Sequence, residues 1–587
     1  MRARGNMKDK ATFKRILEYL KPYRSLIAAS MLCAVISVAM SLYVPILIGE
    51  AIDHIVYGGV DLKAVRAVLL KTLFAALLVG VSQWCMNLLN NRVAYFTVQD
   101  IRNDMFHKLL RLPFRFLDSH AHGVLVSQMI ADVDQFSDGL IMGFTQLFTG
   151  LLTILGTLVF MFRMNARITF IVLLVTPLSL FVARFVSKRT FSMFTRQSEI
   201  RGDQTAVIHE MLQNIKVVKA FGYEERAKAR FDGINEELRE ASLKAIFYSS
   251  LTNPATRFVN AVMYALVALF GALTVLNGSM TVGVLTCFLS YANQYTKPFN
   301  EITGVITEFQ NALACAARVF ALIDEETEVP DDDLPALSEV QGHVALSNVS
   351  FSYTPARKLI EHLNIRVEPG QRVAIVGPTG SGKTTIINLL MRFYDVDAGQ
   401  ITVDARDIRE VTRQSLRSAY GMVLQETWLR SGTVADNIRL GKPSASREEI
   451  IAAAKETHAH SFIRRMEKGY DTEISEDGGE LSQGQKQLLC ITRIMLSLPP
   501  MLILDEATSS IDTRTELRIQ NAFQKLMQGR TSFIVAHRLS TIRNADTILV
   551  MRDGSVVEQG SHEELLRKAG FYAELYRSQY EQDAGSS

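Results

Sequence analysis

Cysteine is nearly missing, with five residues in 587. That excludes a disulfide scaffold, and the positions Cys33, Cys85, Cys287, Cys315 and Cys490 show no metal-ligand spacing, so free thiols are expected. Proline (14) and glycine (35) are too few for a fibrous or low-complexity chain. Neither sign of charge dominates: 63 Lys/Arg face 60 Asp/Glu, a net of +3, which argues against a nucleic-acid partner. What is abundant is apolar surface. Hydrophobic residues make up 48% of the chain, and the mean hydropathy is +0.13. The small net charge also conceals an asymmetry. Residues 1–322 carry 33 basic and 22 acidic side chains, whereas residues 323–587 carry 30 and 38.

Charge is absent altogether from long stretches of the first half. Residues 25–49 hold no ionisable Asp, Glu, Lys or Arg, and similar runs lie between Lys71 and Arg92, between Asp138 and Arg163, and from Arg167 to about Ala183. A helix needs ~20 apolar residues to cross ~30 Å of hydrocarbon. The last run, from Arg257 to Lys297, is 39 residues long and has the turn signal Asn277-Gly278 near its middle, so it reads as two helices. The expectation is six spans at about 25–49, 72–91, 139–162, 168–187, 258–277 and 281–297.

Basic residues orient the spans. Twenty-six of the 31 Lys/Arg residues that flank them fall on one side, together with both termini, and by the positive-inside rule that side is cytoplasmic. The first run is too long for a cleaved signal. The two long cytoplasmic segments have apolar residues at helical spacing (Ile101, Met105, Leu109; Ile208, Met211, Leu212, Ile215), so the spans should continue as helices beyond the bilayer. Each segment holds one reversal, near 113–120 and near 218–225. The expected organisation is a membrane domain over 1–322, an acidic Pro330-containing linker over 323–341, a nucleotide-binding domain over 342–581 and a tail over 582–587.

The second half carries phosphate chemistry. A buried-strand pattern, Arg372 to Val376, leads into Gly377-Pro378-Thr379-Gly380-Ser381-Gly382-Lys383-Thr384-Thr385 and then an apolar helical run. This is the P-loop pattern in its strand–loop–helix context. Glycines let backbone N–H groups approach phosphate oxygens at a helix N-terminus. Lys383 reaches the β- and γ-phosphates, and Thr384 offers a hydroxyl to Mg²⁺. The apolar strand from Met501 to Leu504 ends in Asp505-Glu506, at the edge where parallel sheets bind ligands. Asp505 is read as a Mg²⁺ ligand through water, and Glu506 as the residue that orients or deprotonates the attacking water. A third strand, 532–535, leads to His537, read as a γ-phosphate contact.

Between these motifs lies Glu480-Leu481-Ser482-Gln483-Gly484-Gln485-Lys486-Gln487, which resembles the signature motif of ATP-binding cassette proteins. The order of motifs is also that family's order. With six spans fused to one cassette, the whole chain resembles a half-transporter of the type IV exporter fold: a helical membrane domain with long cytoplasmic extensions, joined to an α/β P-loop ATPase domain with a helical subdomain. The resemblance implies ATP and Mg²⁺ as ligands. It also implies adenine stacking by Tyr353, Mg²⁺ and membrane-domain sensing by Gln425, a cross-site loop at Ser510 and Asp512, and a coupling-helix surface at 473–476. Catalysis would rest on Glu506, His537 and Gln425, with Thr384, Gln425 and Asp505 at the metal. Two cassettes would close head-to-tail, so that Leu481, Ser482, Gln483, Gly484 and Gln485 reach the partner's ATP. The two reversals would be coupling helices.

Gln483 departs from the family's usual glycine at the third signature position. The chain therefore also resembles the carboxylate-bearing subunit of bacterial heterodimeric exporters, and a heterodimer is expected ahead of a homodimer. The expected activity is ATP-driven export of hydrophobic or amphipathic drugs or lipids across a bacterial plasma membrane. The span cores lack charges, which favours such cargo; Trp84, Tyr95, Phe144 and Tyr264 are candidate contacts. A homodimeric lipid flippase and an importer of a metal chelate remain alternatives on the same fold. A gated channel or regulatory subunit is disfavoured by the intact Glu506.

Overall fold

The computed structural model describes residues 2–56, 60–354, 358–424, 427–475, 478–479, 481–505, 512–535 and 539–578. The chain divides into a helical unit and an α/β unit.

The helical unit comprises Met1–Arg111 and His120–Glu325. Its helices in chain order are α1 (Arg2–Leu20), α2 (Arg24–Val56) and α3 (Leu62–Leu109). After a short helix, α4 (Phe114–Ser119), come α5 (His122–Ser127), α6 (Val133–Met142) and α7 (Phe148–Met164), joined by π-helical turns at Gln128–Asp132 and Gly143–Leu147. Then follow α8 (Ala166–Gln213), the short α9 (Ile215–Ala220), α10 (Glu224–Leu276) and α11 (Val282–Asp324). The charge-free runs fall on α2, α3, α7, α8, α10 and α11. Among the described residues, four helical stretches are long and apolar enough to cross a membrane: Ala11–Val56, Leu62–Leu109, His122–Met164 and Arg257–Leu276; Ala166–Leu178 is a shorter apolar one. One face of α3 exposes Leu70, Leu73, Phe74, Leu77, Val81 and Trp84. A contiguous apolar face of that extent is expensive in water and at home in lipid.

Helix ends follow local chemistry. The Asp61 carboxylate caps α3, Asn165 caps α8, and Thr281 caps α11. Gly278, at φ +68°, turns the chain between α10 and α11. Two elements distant in sequence lock together at one end of the bundle. A Cβ on Gly49 would lie 2.6 Å from the Gly283 carbonyl oxygen, so α2 and α11 touch backbone to backbone. Asp53 fastens the crossing: its carboxylate accepts from the Gly283 N–H at 2.8 Å and from the Thr281 hydroxyl at 2.7 Å.

The α/β unit comprises Glu326–Ser587 together with Leu112–Ser119, which brings α4 into it. Its strands are β1 (Val344–Phe351), β2 (Ile360–Val367), β3 (Arg372–Val376), β4 (Ala398–Val403), β5 (Arg406–Asp407), β6 (Tyr420–Val423), β7 (Gly432–Thr433), β8 (Glu473–Ile474), β9 (Met501–Asp505), β10 (Thr531–Val535), β11 (Thr547–Arg552) and β12 (Ser555–Gly560). The main sheet runs β12-β11-β3-β10-β9-β6, parallel except for β12. Its central strands are largely apolar because both faces are covered, one by helices and the other by a helix and a second sheet; β10 is buried along its whole length. A second, antiparallel sheet runs β2-β1-β4-β5. The helices that matter below are α12 (Lys383–Leu390), α13 (Arg413–Ser418), α14 (Val434–Arg439), α15 (Arg447–Glu456), α16 (His460–Ile463), α17 (Gln483–Ser497) and α18 (Thr513–Met527). The acidic segment after α11 is held by Arg413 at the start of α13, which bonds the Val329 carbonyl at 2.8 Å and pairs with Asp331.

Candidate functional site

Parallel register brings strand ends to one edge. Val535 of β10 lies opposite both Asp505 of β9 and Ile375 of β3, and Val423 of β6 lies opposite Leu504. The loops that leave these strands are therefore neighbours. The loop after β3 passes through Gly377 (φ +155°) and Gly382 (φ +99°) before entering α12. A Cβ at Gly377 would sit 2.4 Å from the Met551 carbonyl oxygen and 2.8 Å from Ser381 Oγ, so only glycine allows this bend.

A cleft of about 670 Å³ opens over this loop. Thr379, Gly380, Gly382, Lys383, Thr384 and Thr385 line it from below, Tyr353, Thr354 and Leu359 from one side, and Asp505 with Val535 from the strand ends. Lys383 is 9% exposed, and its ammonium donates to the carbonyls of Gly377 (2.7 Å) and Pro378 (3.0 Å). Burial lowers its pKa, and the nearby Asp505 carboxylate partly opposes that shift. Ser381 Oγ is buried without a hydrogen-bond partner among the described residues. Gly382, the N-cap of α12, has no side chain to accept from the first turn. A cradle of open donors at a helix N-terminus with one buried cation fits a polyphosphate. Thr384 and Asp505, oxygen donors on the same cleft, fit a hard divalent cation such as Mg²⁺.

Tyr353 is half-buried and held from several directions. Its hydroxyl donates to Thr385 Oγ1 (3.3 Å) and accepts from Asn388 Nδ2 (3.0 Å). Its ring meets Phe351 and Tyr394 edge-on, with centroids 4.9 and 5.0 Å away. Tyr394 in turn donates its hydroxyl to the Asp118 carboxylate on α4. The same short helix places Phe114 against Phe393 (centroids 4.8 Å apart) and bonds Arg115 Nη2 to the Ser352 carbonyl at 3.0 Å. An aromatic and hydrogen-bonded chain thus runs from the first reversal to the rim of the cleft. Sequence reasoning missed Asn388 and Tyr394, and it met Asp118 only as part of the first reversal. A signal existed for Asn388, which sits one turn beyond Thr385 on α12.

The signature residues lie elsewhere. Ser482 caps α17 in a capping box: its Oγ accepts from Gln485 N (3.3 Å), while Gln485 Oε1 accepts from Ser482 N (2.9 Å). Ser482 and Gln483 are exposed, Gly484 is buried, and Leu481 packs on the core beneath. Gln483 reaches Thr427 Oγ1 at 3.5 Å. None of them lines the cleft among the described residues. Asp512 caps α18 by accepting from the Thr515 N–H at 2.9 Å, which holds its carboxyl below the usual range. Gln425, Glu506, Ser510 and His537 lie outside the described residues, as does the Phe144 side chain.

Comparison with known proteins agrees with this geometry. Residues 27–299 match the family model described as the ABC transporter transmembrane region, and residues 360–509 match the one described as ABC transporter. A fatty acid ABC transporter ATP-binding/permease protein of Mycobacterium bovis is 42% identical, covering 89% of this chain and 82% of that one. An ATP-dependent lipid A-core flippase of Syntrophus aciditrophicus is 35% identical, covering 97% and 95%. The solved structure of a bacterial Atm1-family ABC exporter with ATP bound is 32% identical, with a TM-score of 0.77, covering 95% and 98% of the two chains. The chain therefore belongs to the ATP-binding cassette transporter family, as a membrane protein of the exporter fold that joins a helical membrane region to an ATPase domain.

Proposed function

We propose that this chain is half of a dimeric exporter that moves fatty-acyl amphiphiles across the membrane at the expense of ATP. The observation that carries the dimer is the separation of Ser482 and Gln483, exposed at the start of α17, from the cleft that holds Lys383. A second cassette facing the first head-to-tail would bring its own signature to this cleft. In that arrangement Lys383 and the N–H groups of residues 379–384 bind the phosphates, and Tyr353 supports the base. Thr384, Asp505 and Gln425 would hold Mg²⁺, which would neutralise phosphate charge. Glu506 positions the attacking water, His537 contacts the γ-phosphate, and Ser510 and Asp512 face the second site. Both termini and the ATPase domain are cytoplasmic in this reading, on the strength of the basic-residue bias. The relatives' names, fatty acid transporter and lipid A-core flippase, support a lipid cargo.

Gln483 is the basis for proposing a different half-transporter as the partner, because a side chain there occupies space next to an approaching phosphate. The deciding measurement is the mass and ATPase turnover of the chain purified alone in nanodiscs, with and without palmitate. Turnover that appears only after co-expression of a second half-transporter, and then rises with palmitate, supports the proposal. A vigorous dimer of the single chain makes the assembly a homodimer. Turnover indifferent to every acyl compound rejects the cargo.

Tyr394 carries a further expectation. Its phenol links Asp118 of α4 to the ring of Tyr353. Tyr394→Phe keeps the ring packing and loses the hydrogen bond, at a cost of about 1–2 kcal/mol for the carboxylate left behind. Palmitate stimulation of turnover should fall at least about threefold while basal turnover stays within about twofold. Equal stimulation in variant and wild type would remove the bond from any coupling role.

A further inference from the structure

We infer that Asn388 is a positioning residue for the nucleotide base: from α12 it fixes the phenol of Tyr353, and so sets where that ring stands relative to the phosphate cradle. The inference rests on the reading above of Tyr353 as the support for the base, and adds to it the residue that aims the ring.

The need for such a residue comes from the topology. Tyr353 lies two residues past the end of β1, which belongs to the antiparallel sheet β2-β1-β4-β5. The phosphate loop leaves β3, an interior strand of the other sheet. ATP bound as proposed spans both, so contacts between the two sheets have to set the separation of ring and loop. α12 supplies them. It starts at Lys383 and carries Thr385 and Asn388, which are three residues apart and therefore share a face. Both meet the Tyr353 hydroxyl: Asn388 Nδ2 donates to it at 3.0 Å, and it donates to Thr385 Oγ1 at 3.3 Å.

These bonds and the packing around the ring constrain different motions. A phenol oxygen that both accepts and donates has its C–O axis held at two points. Rotation of the ring about that axis is limited instead by Phe351 and Tyr394. Their rings stand at 85° and 89° to it, with centroids 4.9 and 5.0 Å away. The two hydrogen-bond partners also differ in what else they do. Thr385 lines the cleft itself, whereas Asn388 is not among the described residues that line it. Asn388 is therefore placed to act on the nucleotide through Tyr353. An unheld ring would have to be ordered when a base stacks on it, and that ordering subtracts from affinity. The bond from Asn388 makes the ordering part of folding. Its loss should appear in ATP affinity and not in the chemical step, because neither Asn388 nor the ring is assigned to the γ-phosphate or the attacking water.

The test uses the full transporter in nanodiscs with Mg²⁺. It measures KM and kcat for ATP, and equilibrium binding of ATP and of inorganic tripolyphosphate, which has the phosphates and no base. Asn388→Leu should raise KM and Kd for ATP about fivefold and leave kcat within about twofold. Its affinity for tripolyphosphate should stay at the wild-type value, which also shows that the protein is folded. Asn388→Ala loses the same bond and takes its place if the leucine variant does not assemble. Tyr353→Phe keeps the ring and loses the hydroxyl, so Asn388→Leu added to it should weaken ATP no further. Wild-type ATP affinity in Asn388→Leu, while Tyr353→Ala loses at least about tenfold, overturns the role of Asn388 and leaves the base reading intact. Losses that multiply in the double variant, or an equal loss for tripolyphosphate, show that Asn388 acts on the loop and not through Tyr353, and overturn the role as well. Wild-type ATP affinity in Tyr353→Ala rejects the base reading itself, and the inference with it.

Discussion

Replacing Glu506 by Gln should leave ATP bound and stop its hydrolysis, with turnover falling at least about 100-fold. The reason is positional. Glu506 follows Asp505, the last residue of β9, and Asp505 lines the cleft beside Thr384. In the proposed reading, the carboxylate one residue past that strand end accepts a proton from water attacking a γ-phosphate bound over 378–384. The amide of Gln is nearly isosteric with the carboxylate, but it cannot take a proton at neutral pH. Nucleotide occupancy is the control. The variant should retain stoichiometric ATP in the presence of Mg²⁺, because Lys383 and the loop amides are untouched. Turnover equal to wild type would mean that some other group directs the water.

The readable parts of this molecule are those written in consecutive residues. Charge-free runs and the Gly-Lys-Thr loop each act on near neighbours, so local physics announces them. The P-loop bend follows from glycines at Gly377 and Gly382, whose positive φ values other residues resist. Tertiary partners leave no such trace. Asp118 and Tyr394 are 276 positions apart and meet only because α4 belongs to the α/β unit. Lys297 is similar: hydropathy sees a charge that terminates a run, whereas the fold sets it on one cleft with the amides of Gln83 and Gln146, from two other segments. Asp53 shows the same limit, since nothing near it in sequence foretells that it caps α11 across the bundle. Helix length was only half legible. Apolar spacing suggested that the spans continue, and α8 and α10 run unbroken for 48 and 53 residues.

The cleft's single buried cation makes the strongest expectation for affinity. Lys383→Ala removes an ammonium that donates to the Gly377 and Pro378 carbonyls, and with it the only charge on the loop able to meet the phosphates. Hydrogen bonds to charged groups are worth ~1.5–3 kcal/mol each, so losing one or two should weaken ATP binding about 100-fold, since 1.4 kcal/mol is a factor of ten. Turnover would vanish with binding, unlike the Glu506→Gln case, where binding survives; equilibrium binding of a fluorescent ATP analogue separates the two. The same lysine predicts a pH dependence. Burial favours its neutral form and lowers its pKa, with Asp505 opposing. Only the protonated form attracts phosphate. ATP affinity should therefore be full at neutral pH and decline on the alkaline side before an exposed lysine would begin to titrate. Asp505→Asn removes the opposing charge, so the decline should begin at lower pH in that variant, measured without divalent cation to keep its loss of metal binding out of the readout. An identical alkaline limb in Asp505→Asn and wild type would show that Lys383 is not the group titrating there.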